Sequence, residues 1–209
     1  MPMESVFELL KDTCEGKIAG EIESIFDRLE KQQSEWYKKT KFTCPSGCGM
    51  CCHNFEPDIT EAEAVFMAMW LMQTQRKTAE KLLNAAENPE KTCIFFNAES
   101  SLHCSIYGGR PFICRLFGAS SFYSKSHSAV WRPCKFYPEE KLSSIGLSHR
   151  QYSKDETKKI LGEIPPIMSD IMAQAIAVSP ENESTEPLRK ILPRKIQHIF
   201  FLLKCLGKI

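Results

Sequence analysis

The sequence predicts a mostly helical α+β protein, with an irregular cysteine-rich centre that contains short β-hairpins and is wrapped by N- and C-terminal helices. Three observations predict this class. Amphipathic patterns occupy both ends of the chain, eight of the ten cysteines fall between Cys44 and Cys134, and short apolar runs flank polar turns. A length of 209 residues fits a single domain. Within it, residues 41–137 are the expected cysteine-cluster core, and residues 1–40 and 143–209 are the flanking helices.

The individual elements follow from local patterns. Apolar residues at helical spacing predict a helix over Lys17–Lys39 and a short one before it over Glu4–Leu10. Thr60 and Glu63 have the spacing of a capping box, which predicts a helix that extends towards Gln75. Periodicity and proline positions predict the other helices: Thr78–Ala86, Lys154–Leu161, a segment that starts at Pro165-Pro166, and Glu186–Lys204. The β-like runs are Cys93–Phe96, Leu102–Tyr107, Ser121–Tyr123 and Ala129–Trp131.

Charge balance and cysteine content restrict the function classes. The formal net charge is +1, which gives no reason to expect nucleic-acid binding. The N-terminal residues include acids where an export signal has a basic and then an apolar run. The longest apolar stretch, Ala64–Met72, is about half of the ~20 residues that span a bilayer. We therefore expect a cytoplasmic protein without a transmembrane segment, and there clustered cysteines indicate metal or redox chemistry.

The sharpest signal is the segment Cys44-Pro-Ser-Gly-Cys48-Gly-Met-Cys51-Cys52. Its glycines allow tight turns, which suits thiolates that must converge on one ion or cluster. Vicinal Cys51 and Cys52 cannot easily bind one tetrahedral ion together, so they indicate either more than one metal or one ligand beside a packed thiol. The compact Cys-x3-Cys-x2-Cys spacing favours a 4Fe-4S iron–sulfur cluster over zinc.

Basic residues accompany the second half of the cluster. Arg110 and Arg115 bracket Cys114, and another basic pair brackets Cys134. Four thiolates around zinc or a cubane cluster carry a net charge of about −2, which nearby guanidinium groups stabilise. We therefore expect Arg110 and Arg115 to bind beside the cofactor. The remaining cysteines of this half are Cys93 and Cys104.

Other polar residues near the cluster have simpler explanations. With eight thiols available, His53 and His103 are expected to be satisfied or exposed rather than ligands. Carboxylates beside a helix start complement its dipole, so three are interpreted as caps and not as catalytic acids: Asp58, Glu61 and Glu63. Cys14 and Cys205 lie in predicted helices far from the cluster along the chain and are left out of the metal set.

The order of these motifs resembles a known family. Cys-x3-Cys-x2-Cys-Cys, followed by Cys-x10-Cys-x-Ile-Tyr-x2-Arg-Pro-x2-Cys-Arg, is similar to the YkgJ-type cysteine-cluster family, the zinc- or iron-chelating CxxCxxCC domain. The resemblance spans about Lys41 to Arg115 and implies a metal without deciding which one. It implies these metal-site residues, accompanied by the Arg110-Pro111 and Arg115 motif: Cys44, Cys48, Cys51, Cys52, Cys93, Cys104 and Cys114. We add Cys134 to this ligand pool.

Three functions are compatible with these patterns. The first is a metal-binding cysteine-cluster protein that acts as a carrier, sensor or stable module. The second is a radical S-adenosylmethionine enzyme, since Cys44, Cys48 and Cys51 have the spacing that holds three irons of such a cluster. The absence of alternating strand–helix patterns argues against it. The third is a zinc-stapled interaction module whose basic C-terminal helix binds a protein partner, the alternative being that this helix docks on the core.

Overall fold

The computed structural model describes residues 5–40, 42, 48–53, 55–83, 92–179 and 184–208. Its helices are α1 Val6–Leu10, α2 Cys14–Thr40, α3 Met50–His53, α4 Glu61–Thr74, α5 Arg76–Leu83, α6 Phe112–Leu116, α7 Glu139–Ser143, α8 Lys154–Leu161, α9 Met168–Ala177 and α10 Leu188–Cys205. Its strands are β1 Asp58–Ile59, β2 Ser121–Tyr123, β3 Ala129–Trp131, β4 Tyr152–Ser153 and β5 Glu186–Pro187. The predicted mostly helical α+β class is confirmed.

Helix α4 lies at the centre of the main core. It begins with the predicted capping box, in which the Thr60 hydroxyl accepts the Glu63 N–H and the Glu63 carboxylate accepts the Thr60 N–H. Most of its residues are buried, as expected for a helix covered on all sides. Helices α2 and α10 pack their apolar faces against it. The buried residues of these faces include Ile22, Ile25, Phe26, Leu29, Ile191, Leu192, Ile196 and Ile199.

Two small antiparallel sheets join distant segments of the chain. Strand β1 pairs with β5, with Asp58 opposite Pro187, so the start of α4 is tied to the start of α10. Strands β2, β3 and β4 form the other sheet, and its β2–β3 hairpin confirms the prediction. This sheet borders a second apolar cluster, which includes the aromatic residues Trp36, Phe42, Trp131 and Tyr152.

Two predicted strands are wrong. Cys93–Phe96 and Leu102–Tyr107 form turns that meet only at an isolated antiparallel bridge between Phe96 and Cys104. A hydrogen-bonded polar loop separates the two segments, and the chain turns back before a ladder can extend. The cysteine-rich centre is therefore more irregular than the sequence predicts, and the β2–β3 hairpin lies at its end.

The helix bounds differ from the predictions at several ends. Helix α8 is confirmed, whereas α5 starts earlier than predicted, and its predicted end falls in residues 84–91, outside the described ranges. The helix expected from Pro165-Pro166 begins at Met168, and α10 begins at Leu188 because the two preceding residues belong to β5. Within the described ranges, no helix combines the length and apolarity needed to cross a bilayer.

Candidate metal centre

One cavity of about 230 Å³ gathers the cysteines of the central segment. Its walls include seven of the eight predicted ligands, namely Cys48, Cys51, Cys52, Cys93, Cys104, Cys114 and Cys134. Cys44 lies in residues 43–47, which fall outside the described residues. Thiols that are widely separated along the chain therefore share one cavity in the folded protein.

Short and irregular elements bring these thiols to the cavity. Helix α3 begins at Met50 and carries Cys51 and Cys52. The Cys52 N–H donates to the carbonyl oxygen of Gly49, which precedes the helix, at 2.9 Å. The Cys93 N–H donates to the Cys52 carbonyl oxygen at 3.3 Å, which joins the two halves of the cluster. Helix α6 carries Cys114. The backbone thus connects the vicinal cysteines directly to the next segment of the site.

The vicinal thiols form a hydrogen-bonded pair. The sulfur atoms of Cys51 and Cys52 are 3.9 Å apart, which is far beyond the ~2.05 Å of a disulfide. The hydrogen bond from Cys52 lowers the pKa of Cys51 to about 7, assisted by the charge of Arg110. The same interaction, with burial, raises the pKa of Cys52. Cys51 is therefore the thiol of this pair that ionises first.

Burial controls the protonation of four further thiols. It raises the pKa of Cys93 to about 11 and also raises the pKa values of Cys104, Cys114 and Cys134. Repulsion between neighbouring thiolates acts in the same direction. Without a bound metal, these four thiols are therefore mostly protonated at neutral pH, and binding a metal through them must release protons.

Arg110 is a cation that acts on three of these thiols. Its charge lowers the pKa values of Cys51, Cys104 and Cys114, against the effect of burial. The guanidinium lies over the Tyr107 ring, 3.4 Å from its centroid, and Nε donates to the Tyr107 carbonyl oxygen at 2.8 Å. These contacts hold the positive charge at the cavity wall.

Arg115 is buried and has several protein partners. Its guanidinium pairs with Glu30 of α2, and it donates to the carbonyl oxygens of Gly108 and Arg110. It also lies 4.0 Å from the centroid of the Phe26 ring. The side chain therefore fastens the loop that precedes α6 to helix α2. Sequence reasoning missed this role, because nothing in the local pattern indicates Glu30 as the partner.

Glu63 reaches further than its capping box. Its other carboxylate oxygen accepts the N–H of Phe112, the first residue of α6, at 2.8 Å. Burial raises the pKa of this carboxyl group. The predicted cap therefore also anchors the helix that carries Cys114. The capping box could be recognised from the sequence, but the bond to Phe112 could not.

The donor chemistry fits a metal, although the described side chains are not drawn together around one point. Among the described residues, no three His, Cys, Asp or Glu side chains are close enough to hold a metal ion. Seven thiols around one cavity are nevertheless the soft ligands that zinc and iron–sulfur clusters select. Ligand convergence would therefore accompany metal binding.

A thiol-lined cavity with a facing arginine defines a cysteine-rich candidate metal-binding domain. Residues 43–135 match the CxxCxxCC family, described as a "putative zinc- or iron-chelating domain". The match confirms the resemblance predicted from the sequence, extends it to include Cys134, and supports metal chelation by this segment. No curated protein and no solved structure matches the chain significantly.

Proposed function

We propose that this protein holds a metal centre through its clustered thiolates, with a 4Fe-4S cluster favoured and zinc as the alternative. The observation that carries the proposal is that seven cysteines line one cavity. The proposed ligand pool comprises Cys44, Cys48, Cys51, Cys52, Cys93, Cys104, Cys114 and Cys134. The compact spacing of the first three supports the iron–sulfur assignment.

The chain's own residues would prepare the site for an anionic centre. Arg110 would balance thiolate charge from the cavity wall, and Arg115 would hold the Gly108–Arg110 loop in position. A cluster would supply one-electron transfer, whereas zinc would supply structural cross-linking. The cysteines that the structure describes are free thiols, as binding a metal through them requires.

The fold supports a binding protein over a radical enzyme. A partial barrel needs repeated parallel strand–helix units, whereas the described sheets are antiparallel and have two and three strands. The contacts of the basic C-terminal helix α10 support the interpretation that it docks on the core over the alternative that it binds a protein partner. Its apolar face is buried, and Lys195 and Arg189 pair with Glu61 and Glu56.

The test is metal analysis of anaerobically purified protein, combined with its visible absorption spectrum. Cys48→Ser and Cys114→Ser should lower bound metal sharply, because serine lacks the soft thiolate. Cys14→Ser and Cys205→Ser are matched controls, since both cysteines are exposed and do not line the cavity. Equal metal content in all four variants would refute the proposed ligand pool, and zinc without iron after anaerobic reconstitution would refute the iron–sulfur assignment.

A further inference from the structure

His103 carries a polar atom that is unsatisfied in the part of the chain that the structure describes. Its Nδ1 is buried and has no hydrogen-bond partner among the described residues. Its backbone, by contrast, is fully bonded, because the N–H donates to Ser100 and the carbonyl oxygen accepts from Asn97, both at 3.1 Å. A buried polar group without a partner costs stability. This differs from the expectation of a satisfied or exposed imidazole.

The ring is held in a specific position despite that cost. The backbone of His103 has a φ of 52°, a left-handed conformation that is uncommon for residues other than glycine. The imidazole stacks on Phe96, with an interplanar angle of 16°. A strained backbone and an unsatisfied nitrogen persist together only where the surrounding structure fixes them, and such positions cluster at functional sites.

The ring lies against the cysteine loop. A Cβ atom added to Gly49 would lie 2.3 Å from His103 Cβ, and Gly49 itself has a φ of 57°. Glycine is therefore required at position 49 both for the turn and for the close approach of the imidazole. Gly49 lines the thiol cavity together with Cys48 and Cys51. A Cβ atom on Gly49 would lie 3.1 Å from His103 Nδ1, so Nδ1 is buried beside the segment that carries Cys48 and Cys51.

We propose that His103 is a positioning residue of the metal centre, whose Nδ1–H donates a hydrogen bond to a metal-bound thiolate of the Cys48–Cys52 segment. This inference rests on the proposed function. A protonated thiol is a weak acceptor, whereas a metal-bound thiolate is a stronger one. Loading the site therefore supplies the partner that Nδ1 lacks among the described residues. Seven thiols already exceed the four ligands of one ion or cubane, so the imidazole acts as a donor and not as a further ligand.

The test compares His103→Gly with His103→Asn in the full chain under reducing, anaerobic conditions. Glycine removes the ring and accepts the positive φ, while asparagine also tolerates this φ and offers a side-chain N–H near the position of Nδ1. His127→Gly is the matched control, because His127 also has a positive φ, 56°, but its side chain is exposed in the β2–β3 turn, whereas His103 Nδ1 is buried against Gly49. The probes are Zn²⁺, in competition with a chelator, and Co²⁺, by absorption.

His103→Gly should bind Zn²⁺ about 10–100-fold more weakly than the wild type, as expected for loss of an outer-shell partner. Its sulfur-to-cobalt charge-transfer band should move to lower energy, because the thiolate loses a hydrogen bond. His103→Asn should recover most of the affinity and the band position, and His127→Gly should match the wild type. Wild-type affinity and spectrum in His103→Gly would overturn the inference.

Two other outcomes have distinct meanings. If His103→Asn is as weak as His103→Gly and the cobalt ligand-field bands change in both variants, the imidazole is a direct ligand and the donor role is overturned. If the wild-type protein itself binds neither Zn²⁺ nor Co²⁺, the proposed thiolate centre fails, and the inference about His103 fails with it.

Discussion

Replacing Glu63 by alanine tests the connection between the core and the candidate centre. The carboxylate accepts the backbone N–H of Thr60 at 2.9 Å and that of Phe112 at 2.8 Å, and the Thr60 hydroxyl donates to it as well. Glu63 is only 2% exposed, so water cannot readily replace it. The substitution therefore leaves two buried backbone donors without an acceptor, one at the start of α4 and one at the start of α6.

The structure sets the size of the effect. Each unsatisfied buried donor costs about 1–3 kcal/mol, which gives roughly 2–6 kcal/mol for the pair. Burial raises the pKa of Glu63, so removal of the carboxylate also removes a desolvation cost. We therefore expect a loss of about 2–4 kcal/mol in the free energy of unfolding. A group whose pKa is higher in the folded than in the unfolded protein stabilises the fold most at pH values below its unfolded pKa, and this contribution falls as the pH rises. The loss in Glu63→Ala should therefore be larger at acidic than at neutral pH.

The assay is urea unfolding of metal-free protein, followed by circular dichroism. The matched control is Glu156→Ala, because Glu156 closes an equivalent capping box with Ser153 but is exposed, and its other partner among the described residues is the exposed Arg150 side chain and not a second helix start. Its replacement should destabilise the protein much less. Equal losses in the two variants would refute the argument that burial and the bond to Phe112 distinguish Glu63 from an ordinary helix cap.

Two further predictions concern the charges around the thiols. Apparent metal affinity should fall as the pH is lowered below about 7, the pKa of Cys51, because protons then compete for its thiolate. Metal binding at neutral pH should also release protons from thiols such as Cys93. Titration calorimetry in buffers of different ionisation enthalpy measures this proton release, and pH-independent binding would contradict the prediction. Arg110→Gln and Arg115→Gln should both weaken metal binding. Only Arg115→Gln should also lower the melting temperature of metal-free protein, because it breaks the contact of the buried guanidinium with Glu30. Equal melting temperatures in the two variants would contradict the structural role of Arg115.

Local signals in the sequence predicted those parts of the fold that local interactions determine. The Thr60–Glu63 capping box, the β2–β3 hairpin and helix α8 each carry their own start, turn or periodicity, and the structure confirms them. The run Cys93–Phe96 failed, because a short apolar segment has no distinctive period and this one packs as a turn. The pairing of β1 with β5 was not predicted, because two-residue strands leave no pattern.

The candidate site shows the same division. Cysteine spacing was sufficient to select thiols that share one cavity. The contacts that support these thiols were not predictable, because each joins residues far apart in sequence. Examples are Glu63 with Phe112, and Arg115 with Glu30. Such contacts are products of helix packing, and the identity of either partner alone gives no indication of them.

Residues outside the matched family segment also form the walls of the cavity, and this affects any attempt to study that segment by itself. Residues 43–135 supply the thiols, but the walls also include Gln33 and Tyr37 from α2, and Leu188 from α10. A fragment cut at the limits of the match would open the site on those sides and leave its cysteines accessible to air and to adventitious ions. Titrations of such an excised piece would describe a different coordination environment from that of the intact chain.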